Sequence, residues 1–379
     1  MKAGDINLII PLVYVGVLGL SLSLPLKAQT VRVLVGTTNS EVTESLAVLQ
    51  LDEQPEKLSL VHKLPVGQRP GYIALHGQHL YAVSTDSQGN DEHTLRAFNL
   101  KDQGRDLKLL SEVSSKGVNP CHIAVDINGT SLYTANYSSG GIAQYQILSD
   151  GSLGDNLYVE KFQGKSIDPA RQQGSHAHYI NNTIDDQFIL TADLGTDKVM
   201  VHSTDASGKL QVYGKQPYFE LPPGSGPRHL EFHPNNRWIY VLNELNSTIT
   251  KVTYDNGSFK VGKTTSTLPP DFDSISYAAA VRIHPSGNYI YSSNRGHDSI
   301  SVFTLDEGGD LSLVQTFAEG LGWVRDFNVT PSGKFIVAGN EKENQVVLLK
   351  LGRNGQIERY ISSLELPAPS CFVFLNQDS

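Results

Sequence analysis

The 379-residue chain has only two cysteines, 30 basic against 39 acidic residues, and few apolar runs long enough to span a bilayer. Each scarcity excludes something. Cys121 and Cys371 cannot build a disulfide framework, and they fall on strands two repeats apart, so they read as free, partly buried thiols. No basic patch stands out, which argues against nucleic acid as a partner. After the N-terminal segment, no stretch approaches the roughly 18 apolar residues of a membrane span. There is no Gly-x-Ser-x-Gly, no phosphate-binding loop and no dinucleotide fingerprint. No segment shows helical periodicity.

Residues 1–28 stand apart. Lys2 precedes an apolar run from Ile6 to Leu24, and Leu26-Lys27-Ala28 fits a small-residue cleavage site. That order predicts a secretory signal peptide, and therefore a periplasmic or secreted protein. Without Lys2, Lys27 and Asp5, residues 29–379 carry 28 basic and 38 acidic groups. They read as one domain, with no membrane contact beyond the signal segment. The oligomeric state is open.

What the sequence does contain is a strand, seven times. The copies are Val33–Gly36, Tyr81–Ser84, Tyr133–Asn136, Leu190–Asp193, Tyr240–Asn243, Tyr291–Asn294 and Val337–Asn340, at steps of 48, 52, 57, 50, 51 and 46 residues. All-β repeats of this length predict a seven-bladed β-propeller with four strands, A to D, in each blade. The clearest unit runs from Pro227 to Leu268. His229–His233 and Thr248–Tyr254 alternate, Trp238–Leu242 is a near-continuous apolar run suited to burial on both faces, and Asn256-Gly257 marks the C–D hairpin. His233 and His284, each just before a proline, read as turn caps. At the ends, Val31–Gly36, Ser45–Leu51 and Leu58–Leu64 supply B, C and D without an A strand, while Ser370–Phe374 is an A strand without a blade. The last blade is expected to close by joining them, which removes two open edges.

Because A is innermost and B antiparallel to it, the start of A and the end of B share one face near the axis. The A starts are Gly71, Cys121, His178, Arg228, Ala279, Arg325 and Cys371. The B ends contribute Asn136, Asp193, Glu244 and Arg295. A concave site with a few convergent polar groups follows. Arg228 and Arg295 suit a carboxylate, a phosphate or a developing oxyanion; Glu244 suits a general base and His178 its proton-carrying partner. His176, Asp193, His229, Arg325 and Asn136 are expected to contact substrate. His176-Ala177-His178 has the spacing of a metal pair, but no third ligand stands at diagnostic spacing, so neither metal nor cofactor is expected. Two long D-to-A connections, Lys161–Ser175 and Thr267–Tyr277, fall on the same rim.

His176-Ala177-His178, Asp193-Leu194-Gly195-Thr196-Asp197, Gly226-Pro227-Arg228-His229, Asn243-Glu244-Leu245 and Ser293-Asn294-Arg295-Gly296-His297 occur in order, one set per repeat. In these words the chain resembles the lactonase family of seven-bladed propellers, which includes bacterial 6-phosphogluconolactonase and fungal carboxy-cis,cis-muconate cyclase. The resemblance implies functional roles for His178, Arg228, Glu244 and Arg295. It departs at Ala280, where family members often carry an acid, and at Val324, where they often carry proline; the first change is expected to remove a charge near the pocket. Hydrolysis of a sugar lactone, with or without a phosphate group, is the leading expectation. The alternatives are a lactonising cycloisomerase of a muconate-type dicarboxylate and a non-catalytic binding propeller of the cell envelope.

Overall fold

The computed structural model describes residues 30–39, 45–85 and 93–375, and the segment expected to be a signal peptide lies outside them. The described residues form seven antiparallel sheets and no helix. Six sheets follow the chain in A-B-C-D order. The seventh pairs the C-terminal strand Pro369–Leu375 with the N-terminal Thr30–Thr37, which then pairs with Leu46–Asp52 and Lys57–Leu64. Val35 stands opposite Phe372 in this closure. The mixed blade is the one expected from the unmatched ends.

Burial explains the strand types. The B strands Ser131–Asn136 and Phe335–Asn340 are buried at every residue, because blades pack on both of their faces. The D strand Ile357–Glu365 is largely open to solvent along the outer edge. In the third blade the D strand is interrupted, and Leu210–Val212 and Tyr218–Glu220 each pair with the C strand. Seven apolar clusters lie one at each junction between neighbouring blades. The core of this molecule is thus a ring of seven seams.

Recurrent polar bonds reinforce the seams. Tyr81, Tyr240 and Tyr291, each the third residue of its B strand, donate to the carbonyls of Gly151, Gly309 and Gly355 in the C–D hairpin of the next blade, at 3.0, 2.8 and 2.8 Å. Gly355 has φ +69°, and a Cβ there would lie 2.3 Å from the Tyr289 ring, so both backbone and space require glycine. His233 and His284 do cap their own turns, accepting from Asn235 N and Ser286 N at 3.1 and 3.0 Å. Each also bonds the turn of the following blade, at the carbonyls of Gly287 and Gly333. Cys121 and Cys371 are both free thiols.

Candidate functional site

The inner strands share a local irregularity that aims the site. Register shifts occur between Pro120 and His122, Ala177 and Tyr179, Pro227 and His229, Ala278 and Val281, and Val324 and Asp326. Cys121, His178, Arg228, Ala279 and Arg325 therefore sit in β-bulges, outside the ladder. A bulge redirects the extra residue and ends regular pairing, which suits it to a site rim. Five of the seven residues that repeat counting placed at the A starts are these bulged residues; Cys371 instead pairs with Gly36 in the ladder, and Gly71 precedes its strand.

At the centre lies the Glu244 carboxylate, buried and surrounded by guanidinium groups. Arg228 Nε and Arg295 Nη2 each stand 3.0 Å from Oε2, and Arg171 Nη2 lies 2.7 Å from Oε1. The contacts of Arg228 and Arg295 are ion-pair contacts whose N–H bonds are not directed at the oxygen. Arg228 Nε and both Nε and Nη2 of Arg295 consequently have no hydrogen-bond partner, although they are buried. Buried donors of this kind are costly unless something accepts from them. The cluster carries three cations on one carboxylate, so it is prepared for negative charge.

Electrostatics sort the candidate roles. Burial alone would raise the Glu244 carboxyl, but Arg295, Arg228, His178 and Arg171 outweigh it and hold it well below the usual carboxylate range. A carboxylate so stabilised stays ionised in the grip of its guanidinium neighbours. Burial, with the nearby Arg228 charge, holds the His178 imidazole well below its ordinary range, so it is neutral. Its buried Nδ1 has no hydrogen-bond partner. Burial and the Arg295 charge push Arg228 down to about 9, which still leaves it a cation at neutral pH.

Arg171 was not among the residues singled out from the sequence. It comes from the first of the two long loops. Asp168 Oδ1 accepts from Ala170 N and Arg171 N at 2.8 and 3.0 Å, and the fully buried Gln172 donates to Leu194 O and Asp197 Oδ1 at 2.9 and 2.8 Å. Asp197 also accepts from Gly224 N and Gly226 N, both at 2.7 Å, which ties the loop to the approach to Arg228. The Arg171 guanidinium lies 5.9 Å from the Tyr277 ring centroid, at the end of the second long loop, and donates to Tyr137 Oη at 3.2 Å. Both long connections thus meet at Glu244. The available signal was a cation inside a rim loop.

The remaining expected residues divide. Arg325 pairs with Glu341 at 3.5 Å, and its charge is felt at both His178 and Arg228. His229 turns toward the axis: its Nε2 accepts from Arg228 Nη1 at 3.0 Å and its ring lies 5.6 Å from that of His178. Arg228 Nη1 also donates to the Ala279 carbonyl. His176 stacks on Tyr137 with ring centroids 4.5 Å apart, and its Nδ1 meets the Tyr137 carbonyl, so the ring is engaged locally rather than paired with His178 on an ion.

Two residues expected to contact substrate are engaged by neighbouring chain segments. Asp193 is fully buried and accepts from His176 N, Gly195 N and Thr196 Oγ1 at 2.7, 3.1 and 2.7 Å. Asn136 is buried against Gly117 and donates to the Ser115 carbonyl at 3.1 Å. Strand-end polar residues at such positions hold turns. Ala280 and Val324 lie together in the apolar seam between the fifth and sixth blades rather than beside the Glu244 carboxylate.

Comparison with known proteins gives the family. A family model described as "Lactonase, 7-bladed beta-propeller" matches residues 32–374. The chain is 31% identical to a 6-phosphogluconolactonase of Bacillus subtilis over 350 residues, covering 90% of this chain and 98% of that one. Among solved structures, the periplasmic gluconolactonase PpgL of Pseudomonas aeruginosa superimposes with a TM-score of 0.86 at 26% identity, covering 92% and 99% of the two chains. A protein from Lactobacillus plantarum gives 0.85 at 29% identity, covering 92% and 100%. With the family match spanning nearly all the described blades, the chain belongs to the seven-bladed β-propeller lactonases.

Proposed function

We propose that this protein hydrolyses a sugar lactone at the Glu244 rim. The observation that carries the reading is the set of buried, unpartnered guanidinium donors of Arg228 and Arg295, which an oxyanion would satisfy. The electrostatics favour a division of labour different from the one expected from residue types. Neutral His178 takes a proton from water as the oxygen attacks the lactone carbonyl. The carbonyl oxygen becomes an oxyanion facing Arg228 and Arg295. As the tetrahedral centre collapses, the ring C–O bond breaks and the imidazolium returns its proton to the departing ring oxygen. Glu244 remains ionised, orients the guanidinium groups and stabilises the imidazolium through its charge. Arg171 reaches any anionic substituent from the loop side.

The names of the B. subtilis and P. aeruginosa relatives support lactones as the substrate class. The latter, together with the N-terminal charge–apolar–small pattern, supports export to the periplasm. The three-arginine cluster also favours one competitor, a muconate-type dicarboxylate undergoing cycloisomerisation.

Incubation with a panel of aldonolactones in a pH-stat tests the proposal. Acid release well above the spontaneous rate is expected, and its absence, or full activity in His178→Asn, would sink the reading. Loss of diene absorbance with muconates would point to the competitor.

A further inference from the structure

The inner strands also build a second concave region, at the opposite end of the axis from Glu244. A cavity of about 490 Å³ is bordered by the far halves of the A strands, including Ala74, Val125, Asn181 and Asn328. These residues lead into the A–B turns, whereas the Glu244 cluster sits at the A starts. Its volume falls in the ~300–1,000 Å³ range of small-molecule sites.

The groups bordering it are chemically specific. His122 lies between Tyr72 and Tyr179, with ring centroids 4.0 and 4.2 Å away. Its Nδ1 accepts from Ile180 N at 3.4 Å, which places the proton on Nε2, and that buried nitrogen has no partner. The Tyr179 hydroxyl accepts from Asn181 Nδ2 at 3.2 Å, so its own proton is available to donate. Glu231 borders the cavity and is held by Ile283 N at 3.3 Å, a single long contact on Oε1. Arg282 is balanced by Asp326 at 2.7 Å, with Nη1 given to the Val281 carbonyl. The cavity therefore has donors on one side, a carboxyl acceptor on another, aromatic faces between them and no unbalanced cation.

An inorganic ion would find no matching counter-charge there. Among the described residues no group of three or more His, Cys, Asp or Glu side chains could hold a metal. Hydroxyl groups, which both accept and donate, fit His122, Tyr179 and Glu231 on three successive inner strands, and the C–H face of a ring fits Tyr72 and Tyr179. We propose that this axial cavity is a second ligand site, separate from the rim, that binds a small neutral polyol of monosaccharide size.

The test uses the whole protein with D-glucose and myo-inositol as probes, followed by saturation-transfer NMR and calorimetry. Saturable binding is expected with a Kd of about 1 mM, corresponding to about 4 kcal/mol. Glu231→Leu and His122→Phe should each weaken it roughly tenfold or more, as expected for loss of a buried hydrogen-bond partner. Aldonolactone hydrolysis by Glu231→Leu should stay within about twofold of the parent; His122→Phe is judged on binding alone, because the His122 ring lies 5.9 Å from that of His229, which accepts from Arg228. Glu231→Gln, which retains hydrogen bonding, should bind nearly as well and serves as the control for folding. No saturation up to about 100 mM, a hundredfold above the expected Kd, or equal binding by Glu231→Leu and His122→Phe in folded form, would overturn the proposal. Equal binding by both variants would place the sugar on the rim. The readout is direct binding, so it stands whether or not any lactone is turned over.

Discussion

Arg171 Nη2 and Glu244 Oε1 stand 2.7 Å apart although 73 residues separate them in the chain. One comes from a rim loop and the other from the end of a B strand about one and a half repeats later. Because Arg171 is a third exposed while Glu244 is buried, the arginine can exchange its partner for a ligand while the carboxylate stays in place. Arg171→Gln should raise KM about tenfold, roughly 1.4 kcal/mol, with kcat within about threefold. Glu244→Gln should instead lower kcat by about 10²–10³, comparable to loss of an oxyanion-hole group. Steady-state kinetics on the best aldonolactone checks the split.

The pH profile separates the two candidate bases. His178 is already neutral well below its ordinary range, because of burial and then Arg228. The free enzyme therefore needs no deprotonation near neutrality, and kcat/KM should stay flat from about pH 8 down through the unperturbed histidine value of about 6.5. An acid limb centred near that value would count against His178 as the base.

Stability should follow the same histidines. His122, His178 and His229 are all depressed, chiefly by burial. Above about pH 6.5 they are neutral folded or unfolded, so their full stability is present there. As pH falls below that value the unfolded chain takes up protons that the folded one refuses, and each histidine removes up to about 1.4 kcal/mol per pH unit. Glu231 works in the other sense. Burial lifts it to about 7, so it favours folding below its unfolded value of about 4.5 and loses that contribution as pH rises through 7. Three groups outweigh one. Thermal melts should fall between pH 7 and 5, and the fall should steepen in Glu231→Gln.

The seams give a packing test. Tyr291→Phe removes one bond to Gly355 and should cost about 1 kcal/mol. Gly355→Ala must both adopt φ +69° and displace the Tyr289 ring, so it should cost more, about 2–3 kcal/mol, summed from backbone strain and overpacking. Denaturant midpoints of the two variants decide the order.

The blades were legible because each repeats the same local chemistry. Apolar runs such as Trp238–Asn243, hairpins such as Asn256-Gly257 and the unmatched ends require no knowledge of distant contacts. The bulged positions were legible as strand starts, and from them His178, Arg228 and Arg325. Arg171 was not, because its arrival depends on hydrogen bonds of Gln172 and Asp197 that no periodicity announces. The same holds for the Asp193 carboxylate and the Asn136 amide nitrogen, which look available in a linear reading and are engaged by neighbouring groups in space. The proton affinities of Glu244 and His178 are likewise properties of assembled neighbours. Residue type alone does not carry them.

The closing blade also sets an order of events. Thr30–Thr37 leaves the ribosome among the first strands, yet its inner neighbour Pro369–Leu375 is made last. Six blades can assemble from nearby segments as synthesis proceeds, whereas ring closure joins residues more than 300 positions apart in a contact such as Ser370 Oγ to the Gly36 carbonyl. Non-local pairing of this kind is slow compared with hairpin formation. Until it occurs the early strands present an open edge, so the most exposed interval in the life of this protein is the one before Pro369–Leu375 has paired.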